Sequence, residues 1–416
     1  MGPADQVPVP RSMREPGGPS DGSPPRDPGS PERTRIALVT PNYLPSLGGV
    51  ERYVRFTGGL LRAWAEVRVF VPLRPAQDVP APTGGGRSAG DLPVTRLPFR
   101  TLFGERVVPA LELFEALQEF DPSLIWSHHP SVNADIAGLY ARLKGCKWVA
   151  TYHADLRRDK PYGPPYSRWE SYLVGHADTV FTTTEHYRQK LIRRGAPGDR
   201  LVTLPTGPYL GDGVLPLPVA TTVTEDAAPG PDHPLLFVGG LDAARSYKRP
   251  DLLVRAVHDL KARSLDVRLW IVGDGDRRPS LERLAAELGV DRSVEFLGRL
   301  GDEDLADRLR SAWALVLPSD SDAEGFGTIC VEAITYGCPV VGSELAPGPK
   351  LVAERGAGVA YPVGDLSHLE AALERVWTDR ALRGELSARA LTVSKEYQWP
   401  AIGPRLEGVI RRVLAA

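Results

Sequence analysis

Cysteine is scarce: Cys146, Cys330 and Cys338 are the only three in 416 residues, an odd number without metal-type spacing. That argues against a disulfide framework and a thiolate metal site, and the three are expected as buried thiols. Long apolar runs are missing as well. No stretch reaches the roughly 18–20 uninterrupted apolar residues of a membrane-spanning helix. The N-terminus has no apolar core of the secretory type, so a cytoplasmic protein is expected. No basic stripe is interleaved with aromatics, which argues against nucleic acid as a partner. Net charge is only −2, but it is unevenly spread. Residues 1–210 hold 26 Lys and Arg against 21 Asp and Glu, whereas residues 211–416 hold 24 against 31. A basic first half suits a phosphorylated or otherwise anionic ligand, or peripheral contact with the inner membrane surface; unevenly distributed surface charge accounts for it equally well.

What remains is globular composition, 42% hydrophobic and 25% charged, in a length that suits two domains of ordinary size. Residues 1–34 are dense in Pro, Gly, Ser and charge without an apolar period, and read as a disordered tail. Order begins at "RIALVTP", a buried strand, followed by "GGVERYVRFTGGLLRAW" with apolar residues at helical spacing. Strands "VRVFVP", "LIWSHH", "WVATYH", "TVFTTT" and "LVTLPT" alternate with helices through residue 210, the pattern of a parallel sheet covered on both faces. Residues 211–234 interrupt it with Gly, Pro and Thr and read as a linker. A second alternation follows over 235–395, through "PLLFVGG", "VRLWIVGDG", "SVEFLGRL", "WALVLPS" and "CPVVGS". The expected fold class is α/β, two doubly wound Rossmann-like domains facing across a cleft, with ligands at the carboxyl ends of the strands.

The richest segment is "LVLPSDSDAEGFGTICVEAITYGCPVV", residues 315–341. A strand ends at Pro318, a polar loop leads to Glu324, and Gly325-Phe326-Gly327 precedes a helix that starts near Thr328 and carries Glu332. Glycines at 325 and 327 let backbone approach a ligand closely. The first-turn amides of the helix lack internal partners and sit at its positive end, a ready site for phosphate or polar sugar atoms. Two carboxylates flanking those amides are bidentate acceptors for vicinal hydroxyls. For Glu332 alone, complementing the helix dipole is the ordinary alternative.

As a whole, the run of strand, Pro-Ser, Glu-Gly-Phe-Gly, helix, second Glu and Gly-Cys-Pro-Val-Val resembles the E-x7-E signature of family four of the retaining, GT-B-fold glycosyltransferases, also called glycosyl transferases group 1. The resemblance extends over about residues 35–412. It implies a hexosyltransferase that takes a sugar from a nucleotide-sugar donor, a UDP-sugar in first expectation, to a hydroxyl on a small-molecule, lipid or glycan acceptor. "PNYLPSLGGVERYV" resembles the family's glycine-rich loop, so Gly48 and Gly49 would approach the donor diphosphate and the acceptor. "FVGGLDAARSYKRPDLL" resembles the segment that supplies a basic pair to the diphosphate. Lys248 matches its lysine, but Gly240 stands where the family's arginine is usual, and Arg245 and Arg249 are both open as replacements. His153, in "ATYHADL", matches the active-site histidine. Gly273 would let the nucleotide pass, and the backbone at Arg299 and Leu300 would meet the base. Glu332 matches the ribose-binding carboxylate, while Glu324 would hold hydroxyls of the transferred sugar. Trp399 resembles the aromatic of the closing segment, whose last helix, within 396–416, crosses back onto the first domain.

The resemblance also implies a metal-free mechanism without any cofactor. By analogy the leaving phosphate oxygen takes the acceptor proton on the same face, in contrast to the carboxylate nucleophile of a retaining hydrolase. Two other readings stay open: a same-fold hydrolase or epimerase, for which Asp155 or Asp159 could activate water, and a non-catalytic nucleotide-sugar scaffold. Acceptor specificity is expected in loops such as 74–106 and 155–168.

Overall fold

The computed structural model describes residues 33–44, 48–73, 92–102, 105–153, 176–209, 223, 227–322 and 325–416. The expected tail up to residue 32, most of the expected linker, Asp155, Asp159 and Glu324 lie outside the described residues.

The first half runs β1 (Arg35–Val39), α1 (Gly49–Leu61), β2 (Glu66–Pro72), β3 (Val94–Leu97), β4 (Arg100–Leu102), β5 (Glu105–Val107) and α2 (Ala110–Phe120). It continues through β6 (Leu124–His128), α3 (Val132–Lys144), β7 (Lys147–Tyr152), β8 (Thr179–Thr182), α4 (Glu185–Arg193) and β9 (Leu201–Thr203). Seven of these strands form a parallel sheet in the order β3-β2-β1-β6-β7-β8-β9, while β4 and β5 pair separately as an antiparallel hairpin. Residues 94–107, expected as loop, therefore contain three short strands. Each has only three or four residues, too few for an alternating pattern to stand out.

The second half runs β10 (Leu235–Val238), α5 (Pro250–Ala262), β11 (Leu269–Val272), α6 (Arg278–Glu287), β12 (Val294–Gly298), α7 (Asp302–Ser311) and β13 (Ala314–Leu317). Then follow α8 (Thr328–Thr335), β14 (Val340–Ser343), α9 (Pro347–Glu354), β15 (Gly358–Tyr361), α10 (Leu366–Thr378), α11 (Arg380–Ser394) and α12 (Trp399–Ala415). Its six-stranded parallel sheet has the order β12-β11-β10-β13-β14-β15.

Strand alternation divides the first sheet's side chains between two cores. Leu38, Trp126 and Val149 face α1, and Ala37, Ile125 and Ala150 face α2 and α3. Into the α1 side pack Trp399, Ile402, Leu406 and Ile410, so α12 leaves the second half and completes the core of the first. Each such side chain, fully buried, stabilises by about 1.5–3 kcal/mol. Val223, inside the expected linker, is 2% exposed and belongs to the core of the second half.

In both sheets the strand order reverses beside the first strand, between β1 and β6 and between β10 and β13. Loops leaving such paired strands diverge and open a crevice at the carboxyl ends. Of the expected site residues, Gly48 and Gly49 follow β1, Lys248 follows β10 and Gly325–Glu332 follow β13, whereas His153, Gly273 and Arg299–Leu300 follow the neighbouring strands β7, β11 and β12. Among the described residues no helix is long and apolar enough to cross a membrane.

Candidate active site

After β10 the chain places two glycines under two cations. A Cβ on Gly239 would stand 2.9 Å from Lys248 Cδ, and one on Gly240 would stand 3.0 Å from both Cδ and Nη1 of Arg245. The missing side chains thus make room for both stems. Arg245 is half-exposed and pairs with Asp242. Arg249 is committed elsewhere: its guanidinium binds Asp251 at 2.9 Å and Asp320 at 2.9 Å, which hold its pKa well above the usual value. It ties the segment after β10 to the segment after β13. Of the two candidate arginines, Arg245 is the one whose side chain lies where a side chain at position 240 would project.

Gly273, expected to let the nucleotide pass, has φ +136°, and a Cβ there would come within 1.9 Å of the Gly239 carbonyl oxygen. The fold itself therefore requires glycine at this position, beside the backbone that supports Lys248. Arg299 is exposed after β12, whereas Leu300 is partly buried and packs against the core.

After β13, Gly325 (φ +67°) and Gly327 (φ +66°) both adopt left-handed backbone that disfavours any side chain. Between them the Phe326 ring is 5% exposed and packs 6.0 Å from Tyr397. Phe326 was expected among the donor contacts; with its ring turned into the core, it anchors the turn and has only backbone to offer. Thr328 opens α8. A Cβ on Gly49 would lie 3.9 Å from Thr328 Oγ1, so the glycine loop at the start of α1 meets the start of α8. Gly48 is the extended N-cap of α1, where a Cβ would collide with Glu51 Oε2 at 2.4 Å.

Glu332 is 5% exposed and faces the first half instead of its own helix amides: its Oε1 accepts from the Tyr209 amide at 3.3 Å. Burial pushes its carboxyl up to about 6, opposed by nearby Arg52 and by the Tyr209 amide. Arg52 in turn pairs with Asp302 at 2.7 Å.

His153 follows β7, 8% exposed, with Nε2 buried and without a hydrogen-bond partner among the described residues. Tyr53 sits edge-on to its ring at 4.9 Å, and the His128 ring lies stacked at 6.0 Å. His128, at the end of β6, is fully buried with both nitrogens unpartnered among the described residues. Burial holds His128 down at about 3; burial, then His128 and His129, hold His153 well below its ordinary value. His129 has φ +68° and is lowered by burial to about 4. Sequence reasoning singled out His153 and passed over this pair, although "LIWSHH" places both histidines at the end of a strand beside β1.

The arrangement offers two cations and a helix start to an anion, a buried carboxylate to hydroxyl donors, and a neutral imidazole on the facing half. A family model described as Glycosyl transferases group 1 matches residues 225–392, and one described as Glycosyl transferase 4-like domain matches residues 48–207. A phosphatidyl-myo-inositol mannosyltransferase of Mycolicibacterium smegmatis is 28% identical, over 92% of this chain and 95% of its own. A GDP-mannose-dependent alpha-(1-6)-phosphatidylinositol monomannoside mannosyltransferase of the same organism is 26% identical, over 89% of this chain and 97% of its own. Among solved structures, sucrose-phosphate synthase from Thermosynechococcus elongatus superposes with a TM-score of 0.69 at 21% identity, covering 92% of this chain and all of that one. That likeness shows a shared GT-B fold.

Proposed function

From a chain that belongs to the glycosyl transferases of group 1, we propose a retaining mannosyltransferase that uses GDP-mannose and delivers the sugar to an inositol-containing phospholipid. Both relatives that span nearly the whole chain are named mannosyltransferases and one is named as GDP-mannose-dependent, which favours GDP-mannose over the uridine donor expected from sequence. The single observation that carries the reading is the meeting of the Gly49 loop with the start of α8, because it brings the acceptor-side loop to the phosphate-binding helix. In this reading Lys248, Arg245 and the first-turn amides of α8 hold the diphosphate. Glu332 takes the ribose hydroxyls, Glu324 the hydroxyls of the sugar, and His153 lies beside the sugar from the other half. The leaving oxygen draws the acceptor proton while these fixed charges stabilise the negative charge that develops on it.

The test offers GDP-mannose, UDP-glucose and ADP-glucose to the protein with vesicles containing phosphatidylinositol, and reads products by mass spectrometry. A hexose is expected on the lipid from GDP-mannose, and activity should persist in excess chelator. Transfer from the uridine donor alone would overturn the donor. Loss in chelator that manganese restores would overturn the metal-free mechanism, and donor hydrolysis without transfer would favour the hydrolase reading.

Glu332 adds a pH dependence. Its folded pKa, about 6, lies above the ordinary value of 4.5, so the neutral form is preferred in the fold. The associated stability is fully present below pH 4.5 and is lost, by about 2 kcal/mol, as pH rises through 6. Ribose hydroxyls need the ionised form as acceptor. Affinity for the intact nucleotide sugar, whose diphosphate diester has no proton to lose here, should therefore weaken about tenfold between about pH 7.5 and about pH 5. Glu332→Gln should flatten that curve and weaken binding by about one to two decades, at roughly 1.5–3 kcal/mol per charge-assisted hydrogen bond. Calorimetry showing wild-type affinity in the variant would remove Glu332 from the site.

A further inference from the structure

Residues 319–322, shortly after β13, are held from two directions. On its own half, the Ser319 carbonyl accepts from Ser343 Oγ, the Asp320 amide donates to the Tyr247 carbonyl at 2.9 Å, and Asp320 receives the Arg249 guanidinium. From the other half, α4 reaches across. Tyr187 OH donates to the Asp322 carbonyl at 2.7 Å, Lys190 Nζ pairs with Asp322 Oδ2, and His186 Nε2 stands 3.7 Å from the same oxygen.

The α4 side of this contact is built rigidly. Thr184 caps the helix by accepting from the Tyr187 amide at 3.2 Å, and Tyr187 is wholly buried. Residues 187 and 190 are three apart and share a helix face. The Lys190 side chain is 10% exposed and that of Asp322 38%, so the pair is half-buried rather than fully at the surface. It joins the two halves and holds only while they face each other.

We propose that Asp322 is a positioning residue for sugar transfer: α4 grips it and thereby fixes the chain three positions before the Gly325–Thr328 turn. The proposal rests on the transferase reading above. It couples closure of the two halves to the geometry of the turn, where a misplacement of about 1 Å can cost on the order of 10²-fold in rate. Loss of the grip is expected to show in transfer more than in GDP affinity, because the bonds that tie this segment to Tyr247 and Arg249 run through Asp320 and do not involve Asp322.

The experiment compares Asp322→Asn, Lys190→Met, the double variant and Lys190→Arg with the wild type, reading kcat, KM for the donor, GDP affinity and melting temperature on the same preparations. Each single neutral variant should lower kcat by about tenfold with GDP affinity unchanged within about twofold. The double variant should be no worse than either single, since both remove one interaction. Lys190→Arg should stay within about threefold of wild type. Unchanged kcat in Asp322→Asn, losses that multiply in the double variant, or losses that follow the melting temperature would each overturn the proposal. A wild type that transfers nothing from any donor would instead overturn the transferase reading, so the two failures are distinguishable.

Discussion

His153→Ala is expected to lower sugar transfer by about 10²-fold, the lower range for a positioned catalytic group, while GDP affinity stays within about twofold. The imidazole stands on the first half, whereas the groups assigned to base, ribose and diphosphate belong to the second, so nucleotide binding and transfer should separate. Burial and the two neighbouring histidines keep the ring neutral. In the proposed reading its part is to hydrogen-bond a sugar hydroxyl or steady a cationic transition state while neutral, and the rate should show no inflection near the ordinary imidazole pKa. A structural histidine would give another pattern. Its loss would lower the melting temperature and leave turnover per folded molecule near normal. The Nε2 of His153 has no protein partner among the described residues, so little hydrogen-bonding stability is at stake in its removal. Melting temperature, nucleotide affinity and turnover on one preparation decide between the two.

Lys248→Ala should lower kcat by about 10²–10³-fold, with a smaller effect on donor binding, because preorganised charge at a leaving group acts most strongly in the transition state. Arg245→Ala should cost less, about tenfold, since its guanidinium is half-exposed and shared with Asp242. Arg249→Ala should instead lower the melting temperature, because its two aspartates hold neighbouring segments together. The space argument yields a rescue: Gly240→Arg on the Arg245→Ala background should restore part of the lost rate, since the second change vacates the place the first would fill. Full activity in Lys248→Ala would remove that residue from the site. No rescue, together with wild-type activity in Arg245→Ala, would remove the arginine.

The buried strands were legible because burial on both faces leaves nearly unbroken apolar runs such as Ile36–Val39 and Ala314–Leu317. The edge strands β3 and β15 were not, since with one neighbour each they are only partly buried and carry no such run. The start of α8 at Thr328 could be read from the glycines before it. The roles of glycines were harder. Gly325 and Gly327 serve the left-handed turn, but Gly273 serves an approach of another strand's backbone, and nothing local in "IVGDG" says which. Pairings across the two halves were beyond reach for the same reason: Arg52–Asp302, Tyr209–Glu332 and Lys190–Asp322 join residues more than a hundred positions apart. The choice between Arg245 and Arg249 needed the aspartates of the fold, Asp251 and Asp320, to be seen in place.

The central claim is transfer of a sugar with retention, and the anomeric configuration of the product tests it most directly. The measurement is the one-bond carbon–proton coupling at the anomeric carbon of the mannosylated lipid formed from GDP-α-mannose. An α-linked product is the result this account predicts; a β-linked product would contradict it.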